Sequence, residues 1–160
     1  MSSYRPGRAL RALFRLPVFA YRWRCGRFLG HRFLLLIHTG RRSGLCRETV
    51  LEVIEYRRDG PEAVVMSAFG TQADWLRNIE ARRNPMVVIG SQCFMVTHRR
   101  LGAEEAVAVL LRYQRRNWLV APLIRLVLSR LVGWRFDGSP AHCRRIVDQL
   151  PLIGFRPVQC

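Results

Sequence analysis

The sequence contains no lysine, so arginine carries all of its positive charge. Its 27 basic residues face only 11 acidic ones, which gives a formal net charge of +16 at pH 7. A field of this sign attracts nucleic acid, acidic lipid and phosphorylated cofactors alike. Net charge therefore indicates the sign of a partner but not its identity.

Cysteine and histidine are few and scattered. The five cysteines never form a Cys-x-x-Cys spacing, and the four histidines are dispersed along the chain. This usage is typical of reduced thiols in a cytoplasmic protein, and it argues against a zinc site or a disulfide framework. We expect no metal ligands among these residues.

The first thirty residues predict a basic amphipathic helix and no long hydrophobic run. Arginine recurs too often for this segment to span a bilayer, and no clean apolar core precedes a signal-peptide cleavage site. The arginines that share one face of the helix are Arg8, Arg11, Arg15 and Arg22. Two interpretations stay open: the helix lies on an anionic membrane surface, on the inner face of the cell membrane, or it packs on the rest of the protein.

Residues 31–160 predict a single α+β domain. Apolar, β-branched runs indicate strands, and the longer amphipathic stretches indicate helices. The predicted strands are Phe33–Ile37, Val50–Tyr56, Ala63–Ser67, Met86–Ile89, Cys93–Thr97 and Ile153–Val158. The predicted helices are Asp74–Arg83, Ala103–Arg115, Pro122–Val132 and Pro140–Gln149. Sequential antiparallel strands with helices inserted at one end favour a small barrel.

The stretch from His38 to Thr49 predicts a basic loop between two strands. Gly40 and Gly44 let its backbone turn and approach a ligand closely. Between and after them stand arginines and a hydroxyl, which together suit a phosphate or a carboxylate. The alternative is a solvated hairpin turn, since Gly-Arg-Arg-Ser-Gly is neither a Walker loop nor a dinucleotide fingerprint.

Several short motifs occur in a recognisable order: Thr39 to Gly44 with Arg47 and Thr49, Ser67-x-x-Gly70, Asp74-Trp75-x-x-Asn78, and Asn84-Pro85. Over roughly Tyr4 to Leu101 the chain resembles the deazaflavin-dependent nitroreductase family. The resemblance implies a split β-barrel of the flavin-reductase or pyridoxamine-phosphate-oxidase type, with coenzyme F-420 as hydride carrier. That cofactor joins a flat tricyclic ring to a phosphodiester and a γ-glutamyl tail.

The resemblance also implies a set of cofactor-binding residues. Those expected at the phosphate and glutamates are Arg41, Arg42, Ser43, Gly44 and Arg47. Those expected to flank the tail and ring with backbone groups are Glu48, Thr49, Val50 and Leu51. Those expected along the ring are Met66, Ser67 and Ala68, with Asp74, Trp75 and Asn78 closing the other side. Trp75 as a core residue and Asp74 as a helix cap stay open as alternatives. Arg42 stands where many family members carry lysine.

The implied reaction is hydride transfer to a lipophilic quinone, a nitroaromatic or an activated alkene. The hard chemistry belongs to the cofactor, so we expect no side chain to be a necessary acid or base. Tyr113 and Trp118 are candidates for the substrate wall, with a plain core role as the alternative. A small-molecule hydride acceptor is thus the expected partner.

Two rival functions stay open. The first is a flavin- or haem-binding member of the same barrel type; haem is disfavoured because no histidine is well placed as an axial ligand, and FMN is less favoured than the deazaflavin. The second is a non-enzymatic lipid- or nucleic-acid-binding module. Specific nucleic-acid binding is not expected, because aromatic residues do not alternate with the arginines on one strand face.

Overall fold

The computed structural model describes residues 31–82 and 85–158. The predicted N-terminal helix lies outside this range, and so does Asn84 of the Asn84-Pro85 motif. The described strands are β1 (Phe33–Thr39), β2 (Cys46–Arg57), β3 (Glu62–Met66), β4 (Met86–Ile89), β5 (Gln92–Arg100) and β6 (Leu152–Pro157). The described α-helices are α1 (Asp74–Ala81), α2 (Ala103–Arg116), α3 (Ala121–Val132) and α4 (Pro140–Gln149).

The six described strands form a closed barrel in the order β1-β2-β3-β6-β5-β4. Every pairing is antiparallel, and β4 closes the barrel by pairing with β1. Short connections join β2 to β3 and β4 to β5, while α1 and the three later helices occupy the longer connections. The predicted α+β barrel is confirmed.

Strand alternation divides the apolar residues between two cores. Leu34 and Leu36 face the barrel interior, where they pack with Val65 and Phe155. Neighbouring positions such as Val64 face outward, against α2 and α4. α2 and α4 therefore cover one outer side of the barrel.

The predicted loop His38–Thr49 is too long. The ladder between β1 and β2 continues to the pair Thr39 and Cys46, because antiparallel strands go on pairing until the chain turns. Only residues 40–45 form the turn, which is closed by hydrogen bonds between the Gly40 N–H and the Leu45 carbonyl and between the Gly44 N–H and the Gly40 carbonyl, both 2.8 Å. Gly44 has a positive φ of 67°. Arg47 and the three residues after it are therefore strand residues.

Other predicted boundaries shift by a few residues. β5 extends beyond the predicted Thr97 to Arg100, because its outer half pairs with β6. The order of elements is as predicted throughout the described residues. Within the same residues, none of the helices has the length and apolar character needed to cross a bilayer.

Candidate active site

A cavity of about 400 Å³ lies between β2, the end of β3 and the inner side of α3. Its size is within the range of small-molecule sites, and its walls are mostly apolar. The wall from the barrel side consists of Arg32, Thr49, Val50, Leu51, Glu52, Ile54, Met66, Ala68, Phe69 and Trp75. The wall from the helices includes Leu110, Tyr113, Val120, Leu123, Ile124, Val127, Leu128 and Leu131.

The first half of β2 presents an open backbone edge to this cavity. β2 pairs with β1 from Cys46 to Glu52 but pairs with β3 only from Val53 onward. The Val53 N–H donates to the Arg32 carbonyl at 2.8 Å. Antiparallel alternation therefore directs the backbone groups of Glu48, Val50 and Glu52 away from β1. These donors and acceptors are available to a flat ligand lying along the strand.

The end of β3 turns away from β2 and so keeps this edge open. The Ser67 N–H donates to the Pro151 carbonyl at 3.0 Å, and the Ser67 hydroxyl donates to the Gly70 carbonyl at 2.6 Å. Gly70 has a φ of 63°, and a Cβ there would lie 2.9 Å from the Gln149 carbonyl oxygen. Only glycine fits this turn without strain. Ser67 is buried and holds the turn rather than facing the cavity.

Arg42 lies on the β1–β2 turn and Arg47 near the start of β2, and neither lines the cavity; this pair is called the unpaired basic edge below. Both side chains are exposed, and neither forms an ion pair with a carboxylate of the described residues. Arg47 lies two residues before Thr49, which is part of the cavity wall. Guanidinium groups without an acidic partner are free to bind phosphate or carboxylate in bidentate geometry.

Arg41 belongs to a different arrangement. Its guanidinium contacts the carboxylate of Asp74 at 3.1 Å and donates to Asn78 Oδ1 at 2.9 Å. Its backbone N–H also donates to Asn78 Oδ1, at 3.1 Å. Arg41 therefore fastens the turn to α1. Asp74 begins α1, with Ala73 at the N-cap position and no capping bond from a side chain.

Asn78 also connects the turn to the cavity wall through His38. Two donors from Arg41 occupy Asn78 Oδ1, so Asn78 Nδ2 is the atom that faces His38 Nδ1, at 3.2 Å. An amide nitrogen only donates, so His38 Nδ1 accepts and the ring proton is on Nε2. His38 Nε2 then donates to Thr49 Oγ1 at 3.3 Å. The Thr49 hydroxyl keeps its own proton for another acceptor.

Burial lowers the pKa of His38 from its usual value, and the nearby Arg47 lowers it further. The hydrogen bonds from Asn78 to His38 and from His38 to Thr49, called the His38 relay below, require a neutral imidazole ring. The lowered pKa makes this neutral form the favoured one in the folded protein.

The predicted site residues fall into three groups. Thr49, Val50, Leu51, Met66, Ala68, Trp75 and Tyr113 line the cavity. Arg42, Ser43, Gly44, Arg47 and Glu48 lie on the exposed turn and the start of β2. Arg41, Ser67, Asp74 and Asn78 direct their side chains to one another or to the backbone, as described above. Their roles in cofactor binding stay predictions.

The two aromatic candidates differ. The Tyr113 hydroxyl donates to Glu52 at 2.7 Å, and burial, with Glu52 beside it, raises the pKa of Tyr113 well above its usual value. Trp118 is 69% exposed and does not line the cavity. Trp75 is at once a core residue, packed near Phe155, and part of the cavity wall.

Sequence reasoning missed the helical wall. Its residues on α3 include Leu123, Ile124, Val127 and Leu131. The available signal was that α3 carries more apolar residues than a helix with one buried face requires.

The model of the F420H2-dependent quinone reductase family matches residues 14–120. A search of curated proteins found no match. Among solved structures, an FMN-binding, pyridoxamine 5'-phosphate oxidase-related protein from Nostoc punctiforme is 14% identical with a TM-score of 0.51, covering 90% of this chain and 80% of that one. A protein of unknown function from Agrobacterium tumefaciens is 15% identical with a TM-score of 0.53, covering 98% and 59%. A structure described as an F420-H2 dependent reductase, FDR-A, is 19% identical with a TM-score of 0.46, covering 80% and 96%. The Nostoc protein shares the fold.

Proposed function

Because the chain belongs to the F420H2-dependent quinone reductase family and is thus an oxidoreductase that uses coenzyme F-420, we propose that its hydride acceptor is lipophilic, a quinone before a nitroaromatic or an activated alkene. Family membership confirms the enzyme class and the cofactor that the resemblance implied. It also sets aside the non-enzymatic module.

The residues present fit this cofactor. Its ring requires an apolar slot with backbone hydrogen-bonding groups along one side, and its tail requires cations. The open edge of β2 meets the first requirement, and Arg42 and Arg47 meet the second because no acid neutralises them within the described residues. Arg42, Ser43 and Arg47 would hold the phosphodiester and glutamates, and the backbone of β2 would flank the ring.

When bound, the reduced cofactor supplies the hydride. The protein then has to orient the partners and keep water away. The apolar side chains of α3 exclude water, which also strengthens every polar contact inside the cavity. The Thr49 hydroxyl, whose lone pair accepts from His38, is directed to donate to a carbonyl oxygen in the cavity. Tyr113 keeps its proton because its environment disfavours the phenolate.

The apolar helical wall is the observation that supports a lipophilic acceptor. Four of its members, Ile124, Val127, Leu128 and Leu131, offer no hydrogen-bonding side chain to a polar substrate. Desolvating a polar acceptor against these four side chains costs free energy that they do not repay, whereas an apolar acceptor gains about 25 cal/mol per Å² buried.

The test is oxidation of the reduced cofactor with three acceptors: a quinone with a prenyl tail, a quinone without one, and a nitroaromatic. We expect kcat/KM to be highest for the prenylated quinone. Ile124→Asn should lower kcat/KM for that acceptor about tenfold while changing the tail-less quinone little. Met95→Asn, an exposed apolar residue on β5, is the matched control. Equal kcat/KM for both quinones in the unaltered protein would reject a lipophilic acceptor.

A further inference from the structure

The outer side of α3 and the short helix before it carry an exposed apolar face. Six side chains between residues 118 and 127 each expose 40% or more of their surface. They are Trp118, Leu119, Val120, Leu123, Leu126 and Val127. A contiguous apolar patch of this kind on a protein surface marks a docking site for another apolar surface.

This face follows the helical period. Leu119, Leu123 and Leu126 are spaced by four and three residues, so they project from one side, with Val120 and Val127 beside them. Leu128 lies on the opposite side and is buried against the other helices. α3 is thus apolar on two sides, and only one of them packs on the protein.

The surroundings of this face are mostly basic, although one acid, Asp137, lines a surface pocket together with Arg125, Leu126 and Arg130. Between residues 106 and 136 the sequence has six arginines and no aspartate or glutamate. The exposed arginines nearest to the face in sequence are Arg115, Arg116, Arg125 and Arg130. Arg130 follows Leu123 and Leu126 by seven and four residues, so it shares their side of α3.

The same face borders the mouth of the cavity. Val120, Leu123 and Val127 line the cavity and are also exposed to solvent. A surface that covered the apolar face would therefore cover the cavity entrance too.

Charge decides which partner fits. A second copy docking through the same face would bring its own arginines against these. Residues 1–30 contain seven arginines and no acidic residue, so they offer the face no complementary charge. A lipid surface with anionic headgroups matches both features, since apolar side chains enter the acyl region while arginines stay at the headgroups.

We propose that the face formed by residues 118–127 docks on an anionic membrane surface and places the cavity mouth against the lipid. A lipophilic acceptor then enters the cavity from the bilayer. Trp118, Leu119 and Val120 of this face lie at the end of the region that the family model matches, and α3 follows directly after it. The docking itself does not depend on which acceptor is reduced.

The experiment is flotation of the full chain with phosphatidylcholine vesicles that contain or lack phosphatidylglycerol. We expect binding to the anionic vesicles, weakened by salt, and little binding to the neutral ones. Leu119→Asp with Leu126→Asp should lower vesicle affinity at least about tenfold, because two insertions are lost and two like charges face the headgroups. Neither residue lines the cavity.

The matched control is Met95→Asp with Val158→Asp. These two exposed apolar residues lie on β5 and just after β6, and the pair changes net charge by the same amount. Unchanged flotation of the control beside loss in the α3 variant supports the proposal. Equal loss in both variants would mean that only net charge matters, and this outcome overturns the proposal. No loss in the α3 variant would assign binding to residues 1–30 and overturns it as well.

A second readout uses lipids brominated in their acyl chains, which quench tryptophan fluorescence at short range. Quenching on binding should fall in Trp118→Phe while flotation persists. If quenching persists in that variant, the α3 face does not enter the lipid. No cofactor or acceptor is present in these measurements. A negative binding result therefore does not bear on the proposed reaction, and a negative result for the reaction does not bear on membrane binding.

Discussion

Two groups of arginines in this protein differ in one respect, the presence of carboxylate partners. On β3, Glu62 is 1% exposed and binds Arg57, Arg99 and Arg156 at 2.6–2.9 Å; Glu105 joins the same group from α2. This group is called the carboxylate cluster below. The unpaired basic edge, Arg42 and Arg47, has no such partner among the described residues. The same residue type therefore forms ion pairs within the fold in one region, whereas in the other we propose that it binds the cofactor.

In the carboxylate cluster, arginine side chains surround Glu62 and Glu105 closely. Burial alone would raise the pKa of Glu62, but hydrogen bonds from Arg99 and Arg156 lower it below its usual value. A hydrogen bond from Arg99, with help from Arg57, lowers the pKa of Glu105 to about 2. A Cβ at Gly154 would lie 2.5 Å from Glu62 Oε1, so β6 needs glycine there. Each of the three arginines that bind Glu62 is thus paired with a buried carboxylate, although Arg156 is still 54% exposed.

Glu62→Gln should produce the largest effect. It leaves three guanidinium groups around a neutral side chain, and removing one partner of a buried ion pair costs about 3 kcal/mol or more. We expect the free energy of unfolding, measured by denaturant titration, to fall by that amount. Affinity for the cofactor at a temperature where the variant is folded should stay unchanged.

Glu104→Gln is the control for this prediction, because Glu104 is exposed and pairs only with Arg144 on the surface. Its effect should be within about 0.5 kcal/mol. Because both pKa values are lowered in the folded state, stability from Glu62 and Glu105 is present above pH 4.5 and is lost as the pH falls through their folded pKa values, which for Glu105 is about 2. Glu62→Gln should flatten that acid limb, and an equal slope in both proteins would contradict the assignment.

The unpaired basic edge should show the opposite pattern. If Arg47 and Arg42 bind the cofactor's tail as proposed, Arg47→Ala and Arg42→Ala each remove a charge-assisted contact worth about 1.5–3 kcal/mol, and affinity should fall about ten- to a hundredfold. The free energy of unfolding should hardly change. Fluorescence titration with coenzyme F-420 at fixed salt measures the first effect. Arg58→Ala, an exposed arginine in the β2–β3 turn, is the matched control and should bind normally.

Removing the His38 relay should change the free energy of unfolding by less than Glu62→Gln does and by more than the substitutions at the unpaired basic edge do. Its pKa is lowered in the folded state, so its contribution to stability is complete above pH 6.5 and is lost as the pH falls below that value. His38→Gln should cost about 1 kcal/mol at neutral pH and should reduce the loss of stability between about pH 6.5 and the acid limb. Melting temperature against pH, compared with the unaltered protein, measures this. Identical slopes would mean that His38 does not titrate on unfolding.

Much of the fold could be predicted because its signals are local. β-branched runs indicated the strands, and amphipathic stretches indicated the helices. The extent of β1 and β2 could not be predicted, because polar residues such as Arg47 and Glu48 join a strand only through the partner that pairs with them. Strand order likewise depends on long-range closure, as in the pairing of β3 with β6.

The residue types at the site could be predicted from the sequence, but the different roles of these residues could not. The turn's arginines look alike in sequence, and only the approach of α1 separates Arg41, held by Asn78, from Arg42. The spacing of Asp74 and Asn78 placed them on one face of a helix, yet it gave no indication that this face meets the turn. The wall from α3 depends on packing between elements far apart in the chain.

Asp74→Asn gives the smallest expected effect and sharpens the comparison most. Asp74 is the acid that pairs with Arg41 of the turn within the described residues, and its side chain is 85% exposed, so this pair is worth little to stability. If it serves only as that partner, neutralising it makes the site more positive and should raise cofactor affinity about twofold, more at low salt. If it contacts the ring, as the resemblance implied, affinity should fall instead.

Titration of the unaltered protein and Asp74→Asn at two salt concentrations separates the two roles, because the effect of a lost contact persists at high salt whereas a field effect fades. Glu80→Gln, an acid at the other end of α1, controls for net charge alone. The sign of this small change decides whether α1 binds the cofactor or only holds the turn that does.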